Sequence, residues 1–130
     1  MRIRYYINEV IIKLCNETQN TMDSHLKTTI EEIKQTLQSW IEEGYIEGEL
    51  SIEPEWYVLW HPEELEEFNR DYQLFEYAPG FTTFGSNGGG ELLVVNKIGV
   101  VFYMPMIGVA SDAAIKIADS LLEFKGYMKK

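Results

Sequence analysis

Three consecutive glycines, Gly88-Gly89-Gly90, are the first residues of the chain whose type and spacing suggest chemistry. Glycine-rich loops can hold a phosphate with their backbone amides, but they do so within patterns such as G-x-G-x-x-G or the lysine-containing phosphate loop. Neither pattern surrounds this run, no lysine follows it, and Glu91 would repel a phosphate. We therefore do not expect a phosphate site at these glycines.

A serine nucleophile is the second chemistry that the sequence could offer. Ser86 lies outside the G-x-S-x-G pattern that exposes a nucleophilic serine at a strand-to-helix turn. A base for it would have to come from the two histidines of the chain, His25 and His61. His61 precedes Pro62, where we expect a surface residue or a helix cap rather than a base.

Carboxylate pairs and metal ligands are no more specific. Glu63 and Glu67 lie one helical turn apart, but an acid–base pair needs one carboxyl group in an apolar pocket, which no local pattern provides. The single cysteine, Cys15, cannot form an intrachain disulfide, and two histidines do not complete a usual zinc set. None of these patterns is specific enough to identify a catalytic group, and we predict no metal and no cofactor.

The composition predicts one globular domain. The chain has 130 residues, of which 45% are hydrophobic and 13% aromatic, enough to bury about two thirds of the unfolded surface. We expect the tryptophans, Trp40, Trp56 and Trp60, mainly to fill the core, although one indole edge could line a groove. No signal-peptide core and no bilayer-spanning segment are evident, which favours a cytoplasmic location.

The formal charge of −10 is concentrated in one part of the chain. Residues 42–76 contain twelve acids and one base, Arg70, whereas the rest of the chain contains ten bases and nine acids. An acidic surface repels nucleic acid and anionic lipid and attracts cationic partners. It also keeps a protein soluble, and the charge alone does not decide between these two roles.

Hydrophobic periodicity indicates the elements that position these acids. Residues 2–14 are ambiguous, and we interpret them as a helix. Residues 28–43 are predicted to form a helix with a capping box at Thr28 and Glu31 and an end at Gly44. Its apolar stripe comprises Leu26, Ile30, Ile33, Leu37, Trp40 and Ile41.

A strand over residues 56–60 is expected to follow, and then a short helix that begins at Pro62, since proline suits the first helical position. Leu65, Phe68 and Tyr72 share one face of this helix. Four acids therefore fall on its exposed face, namely Glu63, Glu64, Glu67 and Asp71.

Residues 91–95 and 100–104 flank a turn-forming segment and predict an antiparallel hairpin. The glycine run is interpreted as the backbone turn into this hairpin, with Asn87 tolerating a left-handed conformation, so we expect Gly89→Val to destabilise the fold. Ser111 is predicted to cap a final helix with an apolar stripe of Ala114, Ile115, Ala118, Leu121 and Leu122. Together these elements predict an α+β fold, a small antiparallel sheet flanked by helices.

Four motifs resemble the fungal and bacterial SMI1/KNR4 (SUKH) superfamily, and the resemblance covers residues 44–125. The motifs are WYVLWHPEEL (56–65), EYAPG (76–80), FGSNGGGE (84–91) and VVFYMPMIG (100–108). Residues 1–43 depart from the family pattern, since they lack its Leu-Pro pair, and are expected to form a divergent N-terminal helical region of a single domain spanning 1–130. The residues taken as structural parts of the motifs are Trp60, Pro62, Gly85, Gly88, Gly89 and Gly90.

The resemblance implies an α+β domain without catalytic residues, which is not an enzyme and works by binding another protein. Bacterial members are mostly immunity proteins that neutralise a toxin, often a nuclease, and fungal members regulate cell-wall assembly through protein partners. Because a nuclease carries a basic cleft, we expect Glu63, Glu64, Glu67 and Asp71 to contribute to a surface for a basic partner. The alternative expectation is a regulatory or scaffold protein that acts on an endogenous partner.

Overall fold

A six-stranded antiparallel sheet organises residues 29–130, the part of the chain that the computed structural model describes. Each strand pairs with the next one along the chain. The strands are β1 (Glu47–Glu49), β2 (Trp56–Leu59), β3 (Phe81–Ser86), β4 (Glu91–Asn96), β5 (Val101–Pro105) and β6 (Ile115–Ala118). The helices are α1 (Ile30–Glu42), α2 (Leu65–Asp71), α3 (Leu74–Tyr77) and α4 (Leu121–Lys125). The predicted α+β fold is thus confirmed, whereas the helix predicted over 2–14 lies outside the described residues.

Helix α1 agrees with the predicted helix over 28–43 except at its first residues. Its capping box uses Thr29 and Glu32, one residue later than predicted: Thr29 Oγ1 accepts from the Glu32 N–H at 3.2 Å, and Glu32 Oε1 accepts from the Thr29 N–H at 3.0 Å. The helix ends as predicted before Gly44, whose φ of +102° suits glycine. Its apolar stripe buries Ile33, Leu37 and Trp40.

Aromatic side chains join the two ends of the described chain to the sheet. Trp40 of α1 stacks on Phe124 of α4 with ring centroids 6.3 Å apart. Phe124 in turn meets Phe84 of β3 edge to face at 5.4 Å. Such contacts add to the burial of apolar area, and they make β3 the strand on which both helices converge.

The hairpin predicted at 91–104 is confirmed as β4 and β5. Leu93 pairs with Tyr103, and the side chain of Asn96 accepts hydrogen bonds from two amides of the connecting turn. The four residues 92–95 are all buried, so β4 is covered on both faces. It is therefore a central strand of the domain.

The final helix predicted from Ser111 is wrong. Residues Ser111–Ala113 form a short 3-10 turn, and Ile115–Ala118 forms β6, which pairs with β5. The helix begins only at Leu121, where Ser120 Oγ accepts from the Glu123 N–H at 3.0 Å. The β-branched segment Ile-Lys-Ile suits a strand, and without β6 the backbone groups along that edge of β5 would lack a partner.

The glycine run makes the turn between β3 and β4. Left-handed φ angles occur at Gly88 (+72°) and Gly90 (+119°), but not at Asn87 as predicted. Asn87 contributes through its side chain instead: its Oδ1 accepts from the amides of Gly89 (2.9 Å) and Glu91 (3.0 Å). An asparagine that bonds amides ahead of it stabilises a turn without adopting a left-handed conformation itself.

The closest approach of backbone to backbone at a glycine of this region occurs at Gly85. A Cβ atom there would lie 2.5 Å from the carbonyl oxygen of Val58 in β2. A Cβ at Gly89 would meet only the side chain of Asn87, at 3.7 Å, and Gly89 has no left-handed φ. We therefore expect a substitution at Gly85, rather than Gly89→Val, to destabilise the fold.

We predict that Gly85→Ala destabilises the fold by about 1–3 kcal/mol, because β2 and β3 must separate to admit the methyl group. Gly89→Ala is the matched control, expected to change the free energy of unfolding by less than about 0.5 kcal/mol. Urea denaturation of the two variants measures both values. Equal effects at the two positions would contradict this account of the glycines.

Candidate functional site

The four acids predicted to bind a partner lie on one exposed surface, which we call the acidic face: Glu63, Glu64, Glu67 and Asp71. The first two belong to the 3-10 turn Pro62–Glu64, and the other two lie one turn apart on α2. All four residues are exposed. The structure therefore leaves exposed all four residues that the sequence analysis selected, within the short segment 63–71.

The local sequence explains why these acids point outward. Pro62 occupies the first position of the turn, where its missing N–H has no intrahelical partner to lose. Leu65 is fully buried, and Phe68 and Tyr72 pack against the core from the same side of α2. Residues half a turn away on a helix face solvent. His61 lies exposed before the turn, with no side-chain cap bond, as expected for a surface residue.

Trp60 supports the acidic face from beneath. Its indole ring stacks on Phe68 of α2 with centroids 4.0 Å apart and planes inclined by 13°. Its Nε1–H donates to Thr83 Oγ1 in β3 at 3.1 Å. A buried indole whose N–H has a partner is a rigid platform, so the helix that carries the acids has little freedom to shift.

A second support, Asn69, was not foreseen from the sequence. Asn69 Oδ1 accepts from the Thr83 N–H at 2.8 Å, and its Nδ2 donates to the carbonyls of Thr83 (3.0 Å) and Leu65 (2.8 Å). The available signal was a residue of low helix propensity four positions after Leu65, on the buried side of α2. Such an asparagine indicates a side-chain partner elsewhere in the fold.

Among residues 29–130, no ion pair involves any acid of the acidic face. Its neighbour Glu66 differs, since Lys34 of α1 contacts its carboxylate at 3.1 Å. Arg70 is exposed on the same helix and is the one base that residues 62–80 contain. The acidic face therefore keeps a net negative charge.

Other acids of the 42–76 segment are paired by lysines from the C-terminus. Lys125 contacts the Glu43 carboxylate at 2.8 Å, and its hydrogen bond is the main cause that holds the pKa of Glu43 below its usual value. Lys129 lies 3.9 Å from Glu49. Folding thus offsets part of the segment's charge away from the acidic face.

A groove of about 600 Å³ lies beside the connection between β1 and β2. Its lining includes Trp56, which is 39% exposed, so this tryptophan lines a groove while Trp40 and Trp60 are buried. Acids surround it, and one of them, Glu53, accepts a hydrogen bond of 3.1 Å from the Tyr103 hydroxyl. Burial is the first cause that raises the pKa of Tyr103, and the contact with Glu53 adds to it. The groove thus presents acidic and aromatic surface, together with Lys129 and with Ser51, whose hydroxyl donates to the Tyr127 carbonyl at 3.4 Å.

Ser86 is not placed to act as a nucleophile. It is 3% exposed, and its Oγ accepts a hydrogen bond from the Gly88 N–H at 3.1 Å within the glycine turn. Within the described range, 29–130, no group of three histidine, cysteine or acidic residues is arranged to hold a metal ion. No helix in that range is both long enough and apolar enough to span a bilayer.

The chain matches no family model, and it matches no curated protein.

We predict that Asn69→Ala destabilises the protein by about 1–3 kcal/mol, because the variant leaves the buried amide and carbonyl of Thr83 without their partner. Glu67→Ala on the exposed side of the same helix is the control, with an expected change below about 0.5 kcal/mol. Chemical denaturation followed by tryptophan fluorescence gives both values. An unchanged midpoint for Asn69→Ala would show that Asn69 does not fix α2 to the sheet.

Proposed function

We propose that this protein is a non-enzymatic binding protein of the SUKH superfamily, an immunity protein that binds and neutralises a basic toxin, in particular a nuclease. The observation that carries the proposal is the acidic face: four exposed acids without ion pairs in the described part of the chain. Two lie in the turn at Pro62 and two on α2, the helix that Trp60 and Asn69 fix to the sheet.

Charge complementarity supports this choice of partner. A nuclease holds phosphates in a cleft lined by lysine and arginine, and a negatively charged protein surface can occupy the same cleft. Opposite charges also accelerate association, which matters when a toxin must be captured before it acts. A cytoplasmic location belongs to the same proposal, because nucleic acid is the substrate to be protected.

The rigidity of α2 supports it further. Binding costs less free energy when the binding residues are ordered beforehand. The stacked pair of Trp60 and Phe68 and the three hydrogen bonds of Asn69 order the backbone that carries Glu67 and Asp71. The SUKH resemblance adds to the proposal, since Trp60 and Pro62 of its first motif are the residues that position the acidic face.

The identity of the partner is tested by capture from the native host. The tagged protein is compared with Glu67→Lys/Asp71→Lys, and the retained proteins are identified by mass spectrometry. We expect the wild-type protein to retain a basic protein that the double variant loses. Retention of an endogenous enzyme by both proteins, without a toxin, would favour the regulatory alternative and overturn the immunity proposal.

We predict that Glu67→Lys/Asp71→Lys slows association with the captured partner about tenfold or more at low salt, whereas the dissociation rate changes less. Glu42→Lys/Glu47→Lys is the matched control, because it makes the same change in net charge at exposed positions outside the acidic face. Stopped-flow or surface-based kinetics at several salt concentrations measure the rates. A rate that is independent of salt and unchanged in the first variant would contradict the proposal.

A further inference from the structure

A cleft of about 340 Å³ begins where the acidic face ends, at the C-terminus of α2. One wall comes from the region of α3 and the other from the loop after β5. Its lining residues are Tyr72, Gln73, Tyr77, Met106, Gly108 and Val109. The lining is mainly apolar or aromatic, unlike the acidic groove beside β1.

The two walls are fixed to each other and to the sheet. The Tyr72 hydroxyl donates to the Met106 sulfur at 3.6 Å, and the Met106 N–H donates to the Gly90 carbonyl at 2.9 Å. Gln73 adopts a left-handed conformation with φ of +57°, which is unfavourable for a residue other than glycine. Its carbonyl accepts from the amides of Glu76 (3.1 Å) and Tyr77 (3.0 Å), so α3 starts in a new direction there. The cleft is therefore preformed.

Each of the two segments that line this cleft exposes one large apolar side chain. Phe75, between the lining residues Gln73 and Tyr77, is 93% exposed, and Ile107, next to Met106, is 92% exposed. Single exposed apolar residues are common on soluble proteins, but here two of the largest exposures fall within the two short segments that line one apolar cleft. Neither side chain contributes appreciable burial to the described fold. Both are suited to contact a partner.

The charge around the cleft indicates the chemistry of that partner. The two segments that carry its lining residues, 71–77 and 106–109, contain two acids, Asp71 and Glu76, and no base. Asp71 immediately precedes the lining residue Tyr72, and Glu76 lies between Phe75 and Tyr77, both exposed. An apolar socket with an acidic rim is complementary to an apolar side chain flanked by lysine or arginine.

We infer that this cleft receives an apolar side chain from a basic protein segment and forms one continuous binding surface with the acidic face. The inference rests on the proposed function, because it assumes the same basic partner, and it adds the anchor. The acidic face guides the encounter, and the cleft then holds the complex together.

Two synthetic pentapeptides test the socket on the full chain by NMR titration: Lys-Lys-Leu-Lys-Lys and Lys-Lys-Gly-Lys-Lys, both with blocked ends. We expect the leucine peptide to bind roughly tenfold more tightly, since it buries one leucine side chain. It should shift the amides of Tyr72, Tyr77 and Val109, whereas the glycine peptide should shift mainly amides of the acidic face.

Alanine variants separate the two parts of the surface. Phe75→Ala and Ile107→Ala should reduce the affinity for the leucine peptide towards that of the glycine peptide. Leu122→Ala is the matched control, because Leu122 is also highly exposed, at 81%. It lies on α4, near the Val101 end of β5, whereas the cleft lies at the opposite end of β5, after Pro105. Glu67→Lys/Asp71→Lys should weaken both peptides by the same factor.

Equal affinity for the two lysine peptides would overturn the socket, and so would equally tight binding of Glu-Glu-Leu-Glu-Glu. A dimer seen by sedimentation and abolished by Phe75→Ala would assign the cleft to a second copy of the chain and overturn it as well. A loss of stability in Phe75→Ala would mean that the chain itself covers the cleft, with the same consequence.

In each of these cases, binding of the glycine peptide still measures the acidic face separately. Loss of its salt-dependent binding would instead overturn the proposed function together with the inference.

Discussion

The fold around the acidic face depends on which groups form hydrogen bonds with the backbone amide and carbonyl of Thr83 in β3. Strand β2 pairs with β3 at Ser86 and Gly85, and the Trp60 N–H still donates to the Phe84 carbonyl at 3.0 Å. The chain then leaves the sheet to begin the turn at Pro62, before it reaches Thr83. The backbone amide and carbonyl of Thr83 would then be buried without partners, at a cost of about 1–3 kcal/mol each. The side-chain amide of Asn69 supplies one acceptor and one donor and completes the edge in place of a strand.

The use of a side chain in place of a strand at Thr83 determines where α2 lies. A paired strand would continue the sheet at this point. Asn69 instead holds α2 against β3, because its side chain bonds both Thr83 and, within its own helix, the Leu65 carbonyl one turn earlier. Trp60 acts at the same place, stacking on α2 and donating to Thr83 Oγ1. The position of the acidic face is thus set by the need to satisfy buried polar groups, which is stricter than apolar packing alone.

Local patterns predicted the elements whose residues interact with near neighbours. Helix α1, the turn at Pro62 and the hairpin of β4 and β5 follow from periodicity, proline and turn residues within a few positions. Strand β6 was missed because the apolar residues from Ala114 to Leu122 have a spacing that also suits a helix. The strand forms because the backbone groups of β5 need a pairing partner along that edge, which the local sequence does not show. Asn69 and the cleft were missed for the same reason, since Asn69 meets Thr83 fourteen positions away and Tyr72 meets Met106 thirty-four positions away.

The folded structure shows which acids remain unpaired and which apolar side chains remain exposed, and the sequence alone shows neither. Lysines of the C-terminus reach Glu43 and Glu49, so the excess of acid that remains unpaired in the described residues includes the acidic face. Just beyond that face the chain has an unfavourable left-handed Gln73, and the two segments that line the cleft each leave one apolar side chain almost fully exposed. Folding gains little from either feature, whereas a preformed apolar cleft next to fixed charges lowers the cost of ordering that binding would otherwise carry. Under the proposed function, burial of Phe75 against a partner would contribute free energy that the free fold does not gain from this side chain.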